Sequence, residues 1–125
     1  MIYGIGTDII EIPRIARSLE RFGVRFARRI LCEYELRRFA AHKQPVAYLA
    51  KRFAAKEALG KALGTGVRDP VLLPAIAVVH DELGKPGFAF APALADYLAA
   101  RGLVAHLSIS DEQQHAVAFV VVEKP

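Results

Sequence analysis

Three charged residues, Asp8, Glu57 and Lys61, stand where the surrounding pattern is apolar. Val46, Leu49, Ala50 and Phe53 recur at helical spacing and mark one inward stripe. At about 100° per residue, Glu57 falls near the centre of that stripe, and Lys61 follows one turn later. A carboxylate on an apolar face needs a partner, because burying an unpaired charge is costly. Lys61 could be that partner, as an i,i+4 ion pair worth about 0.3–0.5 kcal/mol on a helix surface. A metal and phosphate site is the other reading, with Glu57 holding a cation and Lys61 meeting phosphate. Asp8 poses the same choice. Side chains alternate along a strand, so Gly4, Gly6, Asp8 and Ile10 share one face. Glycines there mark a bulge, or the close approach of a ligand or a second backbone. Asp8 is then either a strand-end cap or a second oxygen ligand. Two carboxylates without a Cys/His cluster suit Mg²⁺ or Mn²⁺ better than zinc. Mg²⁺ takes one or two carboxylates and fills its octahedron with phosphate oxygens and water. In HLSIS, His106, Ser108 and Ser110 share a face that either meets solvent or hydrogen-bonds phosphate. His42, His80 and His115 lack metal-ligand spacing.

These residues need elements to position them. Residues 2–10, apolar and β-branched, predict a strand. Pro13 opens a helix whose basic face runs from Arg14 to Arg21, and a second short helix covers Glu33 to Ala41. Val46 to Leu63 is the strongest helix signal, ended by Gly64 and Gly66. A strand at 75–81, the turn GKPG at 84–87 and a short strand at Phe88 to Phe90 follow. Pro92 opens a helix through Arg101 that Gly102 closes. Strands at 104–110 and 116–123, joined by DEQQ, predict an antiparallel hairpin. The pattern is that of one α+β domain over residues 1–125, with no linker, repeat or low-complexity run.

Composition narrows the function classes. The chain has 125 residues, 54% of them hydrophobic and 24% charged, which is ordinary for a folded domain. No apolar run approaches the roughly 18 residues of a membrane span, and the start MIYGIGTDII lacks signal-peptide features. Cys32 is the only cysteine, so no intrachain disulfide forms and a reducing cytoplasm is the expected location. The net charge of +4 favours anionic partners. Arg14, Arg17, Arg21, Arg25, Arg28, Arg29, Arg37 and Arg38 crowd the first third, either as a solvated face or as a docking surface for an acidic partner. Nucleic acid is not the expected partner, because no strand carries the aromatic platform of an RNA reader. GIGTDI lacks the third glycine of a dinucleotide fingerprint, and no P-loop or nucleophile elbow is present.

Four blocks, GIGTDIIEIPR (4–14), RFAAKEALGKALGTG (52–66), GKP (84–86) and HLSISDEQQHAVAFVVVE (106–123), together resemble the short, trimeric class of 4′-phosphopantetheinyl transferases of fatty-acid synthesis. They occur in the family's order and span nearly the whole chain. The resemblance implies a small antiparallel sheet packed with a long central helix, assembled as a homotrimer with active sites between subunits. It implies transfer of phosphopantetheine from coenzyme A to a serine of apo acyl carrier protein, with adenosine 3′,5′-bisphosphate released. Asp8 and Glu57 would hold Mg²⁺, and Lys61 would neutralise the pyrophosphate. Arg52 and His106 would meet the nucleotide end and its 3′-phosphate. Gly64, Thr65 and Gly66 would shape the adenine pocket, with Lys85 and Pro86 walling it. Arg14, Arg21 and Arg25 would dock the acidic carrier. The general base stays open between Glu57 and a water it orients. The chain departs from many relatives at Asp111, where they have His, and at Cys32, where they have a helix-capping Thr.

Overall fold

The computed structural model describes residues 1–125. In chain order the elements are β1 (Ile2–Glu11), α1 (Ile12–Phe22), α2 (Val24–Ile30), α3 (Glu33–Ala41), α4 (Pro45–Leu63), β2 (Ile76–His80), β3 (Pro86–Phe90), α5 (Pro92–Ala100), β4 (Val104–Asp111) and β5 (His115–Glu123). β1, β5 and β4 form an antiparallel sheet in that order, while β2 and β3 pair separately. The architecture is α+β, and the last two strands form the expected hairpin, with Leu107 opposite Val120.

The sheet's inner face packs on α4, which serves two apolar clusters at once. Its C-terminal half joins Leu59 and Leu63 to Ile76, Val78, Leu94, Leu107, Val120 and Val122. Its N-terminal half joins Tyr48, Leu49 and Ala50 to Ile15, Ala27, Ile30 and Leu31 from the short helices. This double duty corrects the inward stripe. α4 is buried around most of its circumference, from Ala54 and Ala55 through Ala58, Leu59 and Gly60 to Ala62. The line Phe53–Glu57–Lys61 is instead where the helix emerges, Phe53 and Glu57 being half-buried and Lys61 exposed. Surrounded by sheet and helices, α4 has no solvent face broad enough to print a clear period.

α2 is absent from the sequence reading. Gly23, at φ 67°, ends α1 and starts α2, so a single residue turns the chain without an intervening loop. Phe26, Ala27 and Ile30 pack inward while Arg25, Arg28 and Arg29 remain exposed. The arginine-rich composition masked a one-sided apolar pattern only two turns long.

The glycines of β1 answer to the second backbone. A Cβ on Gly4 would overlap the Ala62 carbonyl oxygen, and one on Gly6 would overlap that of Ala58. Main chain of strand and helix therefore touch with no side chain between them, which sets Asp8 of β1 beside the last turns of α4. Gly6→Ala is expected to lower the unfolding free energy by about 3 kcal/mol or more, read from urea midpoints, because a helix backbone cannot step aside. A variant within about 1 kcal/mol of the parent would show that the seam has slack.

Candidate active site

Asp8 and Glu57 line one cavity of about 340 Å³, together with Ile10, Arg14, Ile15, Ser18, Phe26 and Phe53. β1 supplies Asp8, α4 supplies Glu57 and Phe53, and α1 and α2 close the far side. Lys61 stands at the rim, where its Nζ donates to Asp8 Oδ1 at 3.0 Å and to the Thr7 carbonyl at 2.9 Å. Of the two readings of Lys61, the i,i+4 pair with Glu57 is not the contact formed: the lysine takes Asp8, across the β1–α4 seam. Burial, then the Asp8 carboxylate, push Glu57 above the usual carboxylate range, with Lys61 opposing. Two converging carboxylates, one of them reluctant to ionise, form a hard oxygen donor set of the kind that fits a divalent cation.

The shift has a sign that can be tested. A folded-state pKa above the unfolded one means that the folded protein binds the Glu57 proton more readily, so stability falls as pH rises through that interval. Without divalent cation at pH 7, Glu57→Gln should therefore melt a few degrees above the parent. The difference should close as pH falls below the ordinary glutamate value. A lower melting point at pH 7 would refute the raised Glu57 that burial and the Asp8 carboxylate produce.

The other predicted residues are spread over several elements. Gly64 caps α4 in the left-handed region at φ 78°. Gly66, at φ 66°, donates its N–H to the Gly60 carbonyl at 3.0 Å, and Thr65 Oγ1 donates to the Gly66 carbonyl at 2.8 Å. Lys85 and Pro86 end the β2–β3 turn, where Asp81 Oδ1 accepts the N–H groups of Leu83 and Lys85, both at 2.9 Å. None of these five residues lines the Asp8–Glu57 cavity.

Arg52 lies elsewhere on α4 and is 7% exposed. Its guanidinium carbon sits 3.7 Å from the centre of the Tyr48 ring, and its buried Nε has no hydrogen-bond partner. Burial and the nearby cations Arg52, Lys51 and Arg38 hold His80 below its ordinary value. Four basic side chains therefore gather on this side of α4.

His106 is on the outer face of β4, with Nε2 2.7 Å from Glu123 Oε1. Arg14 reaches two sites: it lines the carboxylate cavity and a second groove with Arg17, Ser18, Arg21 and Phe22. Arg25 is exposed on α2. Sequence reasoning missed Ile15, Ser18 and Phe26 in the cavity. The i,i+3 step from Ile15 to Ser18, on the face next to Arg14, was the available signal.

A seam that joins two carboxylates to a lysine, with an arginine-lined approach, fits an enzyme that handles phosphate esters. Residues 4–120 match the 4′-phosphopantetheinyl transferase superfamily, and the chain belongs to it. It is 60% identical over 124 residues to the holo-[acyl-carrier-protein] synthase of Aromatoleum aromaticum, covering 99% of each chain. The crystal structure of the holo-[acyl-carrier-protein] synthase from Neisseria meningitidis superposes with a TM-score of 0.97 at 53% identity, covering 99% of this chain and 100% of that one. The Bacillus anthracis holo-(acyl-carrier-protein) synthase, solved in complex with CoA (3′,5′-ADP), gives 0.84 at 39% identity, covering 100% and 99%. No helix is long and apolar enough to cross a membrane.

Proposed function

We propose that this protein transfers the 4′-phosphopantetheine group of coenzyme A to a serine of apo acyl carrier protein in fatty-acid biosynthesis, giving holo acyl carrier protein and adenosine 3′,5′-bisphosphate. The observation that carries the reading is one cavity bounded by the Asp8–Glu57 carboxylates and by Arg14 of the basic helix face. Phosphate chemistry and carrier docking then share a wall.

Asp8 and Glu57 are the ligands of Mg²⁺. When bound, the ion neutralises pyrophosphate charge and stabilises the charge that develops on transfer. Lys61, steered by Asp8 and the Thr7 carbonyl, supplies a second positive charge at the rim. Gly64, Thr65 and Gly66 with Lys85 and Pro86 receive the adenine end. Arg52, with an unpartnered buried Nε, faces the 3′-phosphate end together with His106. The carrier serine oxygen bonds to the β-phosphorus as the bond to adenosine 3′,5′-bisphosphate breaks. Glu57, or a water that it orients, accepts the serine proton. Ile15, Phe26 and Phe53 limit water around the reacting atoms. Arg14, Arg21 and Arg25 receive the acidic face of the carrier.

The two faces of the sheet support a homotrimer with shared sites. Asp8 lies on the inner side with Gly4 and Gly6, whereas His106 lies on the outer side, so the two do not meet within one protomer. The outer side exposes Ile5 at 60%, Ile9 at 65% and Phe119 at 43%, an apolar surface suited to a second copy of the chain. A second subunit brings its His106 to the first subunit's cleft. The lone Cys32 and a carrier-protein substrate fit work in the cytoplasm.

Intact-mass spectrometry of apo acyl carrier protein incubated with this protein, coenzyme A and Mg²⁺ tests the reading. A phosphopantetheine mass gain that EDTA abolishes is expected. No gain on a carrier that another transferase modifies would leave a binding module with this fold.

A further inference from the structure

The molecule contains one fully buried ion pair, Lys56 with Glu35, both side chains 0% exposed. Lys56 immediately precedes Glu57, yet it points away from the cavity. Its Nζ donates to Glu35 Oε1 and, at 2.6 Å, to the carbonyl of Ile30, the last residue of α2. Glu35 Oε1 also accepts the N–H of Cys32 at 3.1 Å, and Oε2 accepts that of Val78 in β2 at 2.9 Å. One lysine and one carboxylate therefore join α4, the end of α2, the start of α3 and the two-stranded sheet.

Stability alone explains this arrangement poorly, since exchanging a buried ion pair for apolar residues is often neutral or stabilising. Its place on α4 is more telling. Ala58 and Ala62 meet β1 main chain, and Lys56 projects about 160° round the helix from Ala58. α4 is thus held on two nearly opposite sides. Glu57 projects between them, about 100° from each, toward the cavity. The β1 contact sets how far α4 lies from Asp8, and the Lys56 network sets how α4 is rotated about its axis. The network's hold on Ile30 also fixes α2, which brings Phe26 to the same cavity.

We infer that Lys56 and Glu35 are positioning residues for the carboxylate pair, aiming Glu57 at the cation and keeping α2 in register with α4. This rests on the reading of Asp8 and Glu57 as cation ligands. Groups that orient metal ligands typically change affinity or activity 10–100-fold when removed.

The test is Mn²⁺ binding followed by the electron paramagnetic resonance of the free ion, with kcat measured in parallel in Mg²⁺. Glu35→Gln/Lys56→Met removes both charges together and is expected to fold but to melt below the parent, because the Ile30 carbonyl and one of the Cys32 and Val78 N–H groups lose their partners. It should bind Mn²⁺ about tenfold more weakly and lose kcat by a similar factor, with KM for the carrier within about twofold. Glu35→Asp, which keeps both charges and shortens the carboxylate, should fold and show the same weakening in milder form. A folded double variant with parental Mn²⁺ affinity and kcat would overturn the inference. If the double variant does not fold, Glu35→Asp decides by the same criterion. A parent protein that binds no Mn²⁺ overturns the underlying carboxylate-site reading instead, and the inference falls with it.

Discussion

Asp8→Ala is expected to slow phosphopantetheine transfer by at least about a thousandfold while leaving the protein folded. The magnitude reflects two simultaneous losses: one of the two proposed cation ligands, and the anion that steers Lys61 at 3.0 Å. The fold should survive, because the Lys61 side chain is 53% exposed and such a pair contributes about 1 kcal/mol at most. The rate of carrier mass gain gives the readout, and a Mg²⁺ series separates the two losses. Recovery at high Mg²⁺ would assign the defect to affinity, whereas a flat deficit would assign it to Lys61 placement. A variant that retains more than about a tenth of the parental rate would remove Asp8 from the mechanism.

Arg14→Glu should raise KM for the carrier protein about ten- to a hundredfold while KM for coenzyme A stays within about twofold. Arg14 has the larger expected effect because it is the one basic residue that lines both the carboxylate cavity and the groove shared with Arg17 and Arg21. Arg21→Glu, one step removed from the chemistry, should do less. Added salt should weaken carrier binding in the parent and matter less in the variant, since screening acts on the charge being removed. Equal increases in both KM values would place Arg14 in the transfer site rather than on the docking face.

The boundaries of β1, α3, α4 and the β4–β5 hairpin were legible because each carries its own local signal: strand alternation, a helix-closing glycine, or a polar turn between apolar runs. α2 was not, since its seven residues offer only two turns of pattern beneath a run of arginines. The burial of α4 was misjudged for a related reason. Ala54, Ala55, Ala58 and Ala62 look neutral in sequence, and only the close approach of neighbouring backbones shows that their smallness is required. Asp8, Glu57 and Lys61 were conspicuous because each breaks an apolar context. Glu35 escaped notice because it lies in a charged stretch, and Lys56 because it falls off the supposed inward stripe beside the more conspicuous Glu57; the two partners are 21 residues apart. Position on one element can be read from spacing; pairing between elements cannot, and the link from Lys61 to Asp8 across 53 residues is another such case.

The main-chain contact between β1 and α4 has a thermodynamic side. Strand and helix meet through atoms that have no rotamers, so holding Asp8 near Glu57 draws on no side-chain freedom at the seam itself. Two like charges on flexible supports would relax apart in the absence of a counterion. Here they are kept close before any ion arrives, and the burial of Glu57 together with its repulsion by Asp8 is carried by the folded state as a standing load. At the proposed site a divalent cation would remove that load without having to gather its ligands, so its binding energy would be available to stiffen the fold. Occupancy and folding would thereby be linked, with the protein most rigid when it is ready to react.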